Sequence, residues 1–304
     1  MNSATTSNRL HRAFTLIEVL VVVALLSVII LGLVTMFSQT QRAYTLGMTQ
    51  VDVLEGGRAV TEMITRDASQ IFPSHAPRTD GTYSAFNFLS QIHITPPLMQ
   101  RLELQPPLPP SIGERTNLMQ DVFFLTKENQ TWTGIGYRVL DSTTGLWPDG
   151  MGTLYRYQTN AYFQQDLRQL FSKYAFQYNP LNLPAVHVFV PSTNMTRVLE
   201  NVVHFKVRAF DANGVWIRGN SNNIVNYWPL DVVPDEPNLT VFYSNAVPAS
   251  IEFELGILEE RTAARARAIL NATRRRDFLT NQVGKVHVFR WRVPVRNVDP
   301  TAYQ

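Results

Sequence analysis

The sequence predicts an α+β protein: one long N-terminal helix, partly membrane-spanning and partly amphipathic, packed on an antiparallel β-sheet head. Two observations carry this. An almost unbroken apolar run from Phe14 to Phe37 passes into a segment with helical periodicity that lasts to Ile71. Short β-rich runs then follow, separated by Gly, Pro, Asn and Asp, with little helix between them. A helix followed by successive strands is the pattern of α+β rather than of an alternating parallel-sheet fold.

The 304 residues suffice for a sizeable core, and 45% hydrophobic with 17% charged residues exclude a disordered chain. The net charge of +3 is unevenly spread. Residues 1–13 carry +2 from Arg9 and Arg12, and residues 257–304 carry ten Lys/Arg against four Asp/Glu, leaving residues 14–256 acidic. The absence of cysteine excludes disulfides, a thiolate nucleophile and Cys-ligated zinc.

The first element is the apolar run. From Val19 to Val34 only Ser27 and Gly32 interrupt it, and about 20 helical residues span a bilayer core of about 30 Å. Arg9, His11 and Arg12 precede it and Arg42 is the first charge after it, so the short N-terminus is expected in the cytoplasm and the bulk of the chain across the membrane. A secretory signal peptide needs a small-x-small cleavage site, which "LVTMFSQTQ" offers poorly. A plain anchor leaves Glu18 unexplained, because an intramembrane carboxylate is costly unless paired; a glutamate snorkelling to the interface is the bland alternative.

The next element, residues 38–71, continues the helix. Tyr44, Met48, Val51 and Leu54, then Val60, Met63, Ile64, Ala68 and Ile71, recur at spacings of three and four. Gly56-Gly57 is expected to kink it or shift its register, and Pro73 and Pro77 end it. Heptads are too few for a coiled-coil stalk. Beyond it, residues 72–304 form the head. The prolines around "LMQRLELQ" predict a rigid connector. Strands are predicted at Asp121–Thr126, Gly134–Leu140, Thr153–Thr159 and Ala185–Val190, with a short amphipathic helix at Phe163–Phe176. Val203, Phe205, Val207 and Ala209 alternate with His204, Lys206, Arg208 and Phe210, predicting a half-buried strand that turns at Asn213-Gly214. Ile257–Leu279 predicts a helical insert with an apolar stripe of Leu258, Thr262, Ala266, Ile269 and Leu270.

No HExxH, GxSxG, Walker A or GxGxxG pattern is present. His187, His204 and His287 lie in predicted strands without a carboxylate at supporting spacing, so outward-facing histidines are expected rather than a metal site. Asp211-Ala212-Asn213-Gly214 lacks the later ligands of a calcium loop and reads as a turn. Arg274–Arg276, with Arg265, Arg267, Arg290, Trp291 and Arg292, read as solvated surface rather than a nucleic-acid site, given the small net charge. No enzymatic activity and no cofactor are expected.

"RAFTLIEVLVVVALLSVIILGLV" resembles the N-terminus of type IV pilins and type II secretion pseudopilins. The shared pattern is a short basic leader, a small residue, Phe-Thr-Leu-Ile-Glu and about twenty apolar residues. The resemblance implies that a prepilin peptidase removes residues 1–13 by cutting between Ala13 and Phe14, and that Phe14 becomes the N-methylated terminus. Ala13 departs from the family's usual glycine. Glu18 becomes the fifth mature residue, the assembly residue, whose carboxylate meets the cationic amine of a staggered neighbour; each offsets the other's desolvation only in correct register.

A second stretch resembles the J-type minor pseudopilin. Leu199, Val202, Phe205, Arg208, Phe210, Asp211, Gly214 and Trp216 fit that subfamily's run, with Trp228 as its second Trp, Val247–Leu255 as its Pro-Ala strand and Lys285–Arg296 as its last strand. The long stretch between the tryptophans and the insert 257–279 depart from it. The resemblance implies a non-enzymatic, single-pass protein of the bacterial inner membrane with a periplasmic head, supporting protein secretion at or near a pseudopilus tip. The alternative is a minor pilin of a type IV pilus or DNA-uptake system. Implied partners are other minor and major pseudopilins, the prepilin peptidase, the inner-membrane assembly platform and membrane lipid; nucleic acid is not expected.

Overall fold

The computed structural model describes residues 15–76, 85–92, 98–101, 114–141, 148–162, 167–175, 195–228 and 236–303. The chain divides into two units, Met1–Gln50 and Val51–Gln304. In the first, the described residues are helical from Leu16 onward, as the apolar run dictates. Ser27 and Thr35 remain compatible with that setting because each hydroxyl donates to the carbonyl four residues back, Val23 and Leu31, at 2.8 Å.

Helix α1 (Leu16–Ala68) runs on into the second unit without a break. It ends three residues before the expected Ile71. Ile71 instead forms a bridge to Thr126, and the Phe72 N–H donates to the Leu125 carbonyl, so the chain leaves the helix directly onto the sheet. The helix continues through Gly56-Gly57.

The sheet of the second unit is antiparallel throughout. Among the described residues it has nine strands: β1 (Phe86–Ile92), β4 (Gln120–Glu128), β5 (Thr131–Leu140), β6 (Gly152–Ala161), β7 (Met195–Phe210), β8 (Ile224–Tyr227), β9 (Leu239–Tyr243), β10 (Ser250–Leu258) and β11 (Val286–Pro294). Their order across the sheet is β11-β10-β7-β6-β5-β4-β1-β9-β8. β2 (Leu98–Arg101) and β3 (Glu114–Asn117) form a separate ribbon, so part of the predicted proline-framed connector is a strand. Its flanking prolines lie outside the described residues, as does the predicted strand Ala185–Val190.

Both faces of the sheet are covered. Val53, Val60, Ile64 and Ala68 of α1 pack with Phe88, Phe124, Tyr137, Phe205, Phe253 and Leu255 on one side. On the other, helix α2 (Leu167–Ala175) brings Leu170 and Tyr174 onto Leu89, Phe123, Leu125, Trp132 and Tyr157. This is why "VFFL" in β4 is apolar without alternation: successive side chains enter opposite cores. The stripe Tyr44, Met48, Val51 and Leu54 does not belong to this packing and is exposed.

The insert resolves into two helices, α3 (Glu260–Arg267) and α4 (Ala272–Thr280), with Leu258 still in β10. Leu258, Thr262 and Ala266 are buried as the stripe predicts, but Leu270 is 95% exposed. The chain turns at residues 268–271, where the Asn271 side chain caps α4 by accepting the Arg274 N–H, so the helical period that would carry the stripe onward ends there.

Candidate assembly site

The sequence-identified site begins at the N-terminus. Ala13 and Phe14 lie outside the described residues. Glu18 lies in the first turn of α1, its N–H donating to the Thr15 carbonyl at 3.1 Å, where the helix's unpaired N–H groups favour a negative charge. The side chains that follow, Leu16 through Phe37, expose between half and five-sixths of their large apolar surfaces. A helix of this length and composition can cross a bilayer.

Within the second unit, the later part of α1 is held by three kinds of contact. The first is apolar, through Val53, Val60, Ile64 and Ala68. The second is a close approach at Gly57, where an added Cβ would lie 2.3 Å from the Phe289 ring of β11. The glycine lets an aromatic ring rest on helix backbone. The third is a buried carboxylate: Asp67 accepts from the Tyr137 hydroxyl at 2.6 Å and from Arg156 Nε at 2.6 Å. Burial and then the neighbouring Asp67 charge push the Tyr137 hydroxyl far above its usual pKa, so it stays a donor. This three-residue latch escapes sequence reading, because its partners lie 70 and 89 positions apart.

The other candidate residues disperse. His204 is not outward-facing: it is only 4% exposed, its Nδ1 accepts the Leu118 N–H at 3.0 Å, and its Nε2 lies 3.5 Å from Glu254. Burial lowers its pKa, while the hydrogen bond from His204 contributes most to holding Glu254 down at about 2. His287 lies 3.7 Å from Glu259, and His187 is outside the described residues. Among the described residues no group of three potential metal ligands comes together.

Five of the arginines are likewise distributed into ion pairs. Arg275 and Arg276 meet Asp149, Arg267 meets Glu200 and Glu260, and Arg290 and Arg292 meet Glu252. Trp291 stacks on Phe253 at 5.5 Å. The turn after β7 is built by Asp211, whose carboxylate accepts from the Asn213 and Val215 N–H groups while Gly214 takes φ 77°. Trp216 is then clasped by Arg208 and Arg218 at 4.5 and 4.7 Å, and Arg218 reaches Trp228 at 5.3 Å. Arg208, Trp216 and Trp228 all belong to the J-like pattern, and guanidinium–indole contact, with Arg218 as the added partner, gives them a physical role.

Residues 8–34 match the family model of the prokaryotic N-terminal methylation motif. No curated protein and no solved structure matches the chain. The match runs from the basic residues Arg9 and Arg12 through most of the apolar run, a motif that implies processing by a prepilin peptidase. With the α+β architecture, in which a long N-terminal helix leads into an antiparallel sheet, it supports a type IV pilin-like, structural protein that assembles with other pilins.

Proposed function

We propose that this protein is a non-enzymatic minor pseudopilin of a type II secretion system, most similar to the J-type. It is cut between Ala13 and Phe14, methylated at Phe14, held in the inner membrane by residues 14–37, and carries its head in the periplasm. Glu18 pairs with the amine of an adjacent subunit, and assembly at or near the pseudopilus tip supports protein secretion. The observation that carries the reading is the methylation motif continuous with one long helix, whose apolar surface from Leu16 to Phe37 is exposed. The subfamily rests on the order Leu199 to Trp216. Its members have physical roles here: Phe205 is buried in the core, Arg208 lies on Trp216, and Asp211 and Gly214 make the turn between them.

The test is deletion and complementation in the native host. Loss of extracellular enzymes with their accumulation in the periplasm supports the proposal. Loss of surface pili or of DNA uptake with secretion intact assigns the protein to a pilus instead. Mass spectrometry of the membrane fraction is expected to find methyl-phenylalanine at position 14 as the first residue.

A further inference from the structure

β11 lies at one end of the sheet order, paired with β10 over its whole length, Ser250 opposite Pro294 through Leu258 opposite Val286, without a bulge. The opposite end is the four-residue β8. The direction of β11's backbone groups follows from the bonds just beyond its two ends. The Glu259 N–H donates to the Lys285 carbonyl, and the Val295 N–H donates to the Ala249 carbonyl, both at 3.0 Å and both in the register of the ladder.

In an antiparallel pair, residues that hydrogen-bond to the partner strand alternate with residues that point away. Odd-numbered residues of β11 therefore face β10, and Val288, Arg290 and Arg292 turn their N–H and C=O groups off the edge of the sheet. Val286 points the same way, but its N–H already bonds the Val283 carbonyl, and Pro294 has no N–H. Three donors and their carbonyls thus form a row spaced about 7 Å apart. Among the described residues, no hydrogen bond reaches them.

Long edges of this kind are normally blunted by bulges, prolines or charges. Here the charges are Arg290 and Arg292, and both are drawn across the face of the sheet rather than over its edge. Arg290 meets Glu252 at 2.9 Å and Glu254 at 3.6 Å; Arg292 meets Glu252 at 3.2 Å and lies 3.7 Å over the Phe210 ring. Their side chains remain 59% and 43% exposed. Two copies pairing β11 with β11 would set arginine against arginine, so the charges oppose self-association. From Lys285 to Arg296 there are four cations and no acid.

We propose that the outer edge of β11 is a strand-addition site for an extended, acidic segment of a different polypeptide. Its main chain takes up the Val288, Arg290 and Arg292 groups, and its alternate carboxylates lie beside Arg290 and Arg292. The residues between them face the half-buried Phe289 and Trp291 side. The proposal stands on strand geometry and charge, and holds whether the protein serves a pseudopilus or a pilus.

The test uses the full chain in detergent micelles and a nine-residue peptide of alternating Glu and Val, with a Lys/Val peptide as control. Residue-level hydrogen exchange is expected to show the Val288, Arg290 and Arg292 amides exchanging fast in the free chain. The Glu/Val peptide slows them at least tenfold, and the Lys/Val peptide leaves them unchanged. Val288→Pro removes an outward donor without breaking a bond to β10, and is expected to weaken peptide binding at least tenfold with unchanged melting. The double variant Arg290→Gln, Arg292→Gln weakens it as well. The proposal is overturned by no protection at millimolar peptide, by equal protection from the Lys/Val peptide, or by full binding to Val288→Pro. It is also overturned if these amides are slow in the free chain in a concentration-dependent way, which makes a second copy the occupant. If Val288→Pro melts early, exchange in the parent chain decides.

Discussion

Two adjacent glycines in α1 have opposite sensitivities. A Cβ at residue 57 would meet Phe289 at 2.3 Å, whereas one at residue 56 reaches only Leu199, at the ordinary distance of 3.4 Å. Gly57→Ala is therefore expected to destabilise the fold by about 1–3 kcal/mol through overpacking. Gly56→Ala is expected to be neutral or to stabilise by up to about 1 kcal/mol, because alanine is the better helix former. Thermal unfolding of the two variants in detergent checks the contrast, and Phe289→Leu, which shortens the opposing ring, is expected to relieve the Gly57→Ala defect. His204 is the residue with a pH signature. Burial lowers its pKa below the usual 6.5, so below that pH the unfolded chain binds a proton that the fold does not, and stability declines. Glu254, held at about 2, adds to the decline in the same direction between about 4.5 and about 2. His204→Asn keeps an acceptor for the Leu118 N–H and removes the titration. The fall in melting temperature between pH 7.5 and 5 is expected to be shallower in that variant than in the parent, and an equal slope in both refutes the assignment.

Among the elements, β7 places Phe205 in an interior strand of the sheet, stacked toward Phe253 at 6.3 Å and fully buried. Phe205→Ala is expected to cost about 3–5 kcal/mol, read as a shift in the denaturation midpoint. That position was legible from period-two alternation alone, as was the turn at Asn213-Gly214, because both signals are local. β10 and β11 were placed to within a few residues at their ends by the resemblance to the J-type order, not by alternation. The short strands β1, β3, β8 and β9 were not legible. Their sequences alternate weakly, and their pairing is set by distant partners, as when Phe88 of β1 lies between Phe124 and Phe242. His204 was misplaced by the same limit: alternation assigns it to the polar face, and only the pairing of β7 with β10, together with the Leu118 N–H, shows that this face is covered. Among site residues, the N-terminal segment was readable because its signal is a contiguous motif. The Asp67–Tyr137–Arg156 latch was not, because nothing local marks one aspartate in a helix as the one that three elements share.

For the whole molecule, the division at Val51 fixes which truncation keeps the head intact. A chain beginning near Gln70, the boundary suggested by the prolines after the helix, loses Val60, Ile64 and Ala68 from the core and Asp67 from its two donors. The buried Tyr137 hydroxyl and the Arg156 guanidinium would lose their acceptor, a loss that typically costs about 3–5 kcal/mol for a buried charged pair. Residues 51–304 are therefore expected to unfold cooperatively and residues 70–304 to aggregate, as circular dichroism and gel filtration would show. The other unit poses the complementary question of what Glu18 does. Its position in the first turn suits a helix N-terminus, and insertion alone would be served better by leucine, so an anchoring role predicts that Glu18→Leu is harmless. An assembly role predicts otherwise. Glu18→Gln keeps shape and hydrogen-bonding capacity while removing the charge that a neighbour's amine would meet. Both variants are expected to be cut after Ala13 and to remain in the membrane fraction. Crosslinking of residues near Phe14 to a neighbouring pilin-like subunit is expected to fall at least tenfold, with secretion falling in parallel. Parent-level crosslinking and secretion in both variants would leave Glu18 an interfacial residue with no part in assembly.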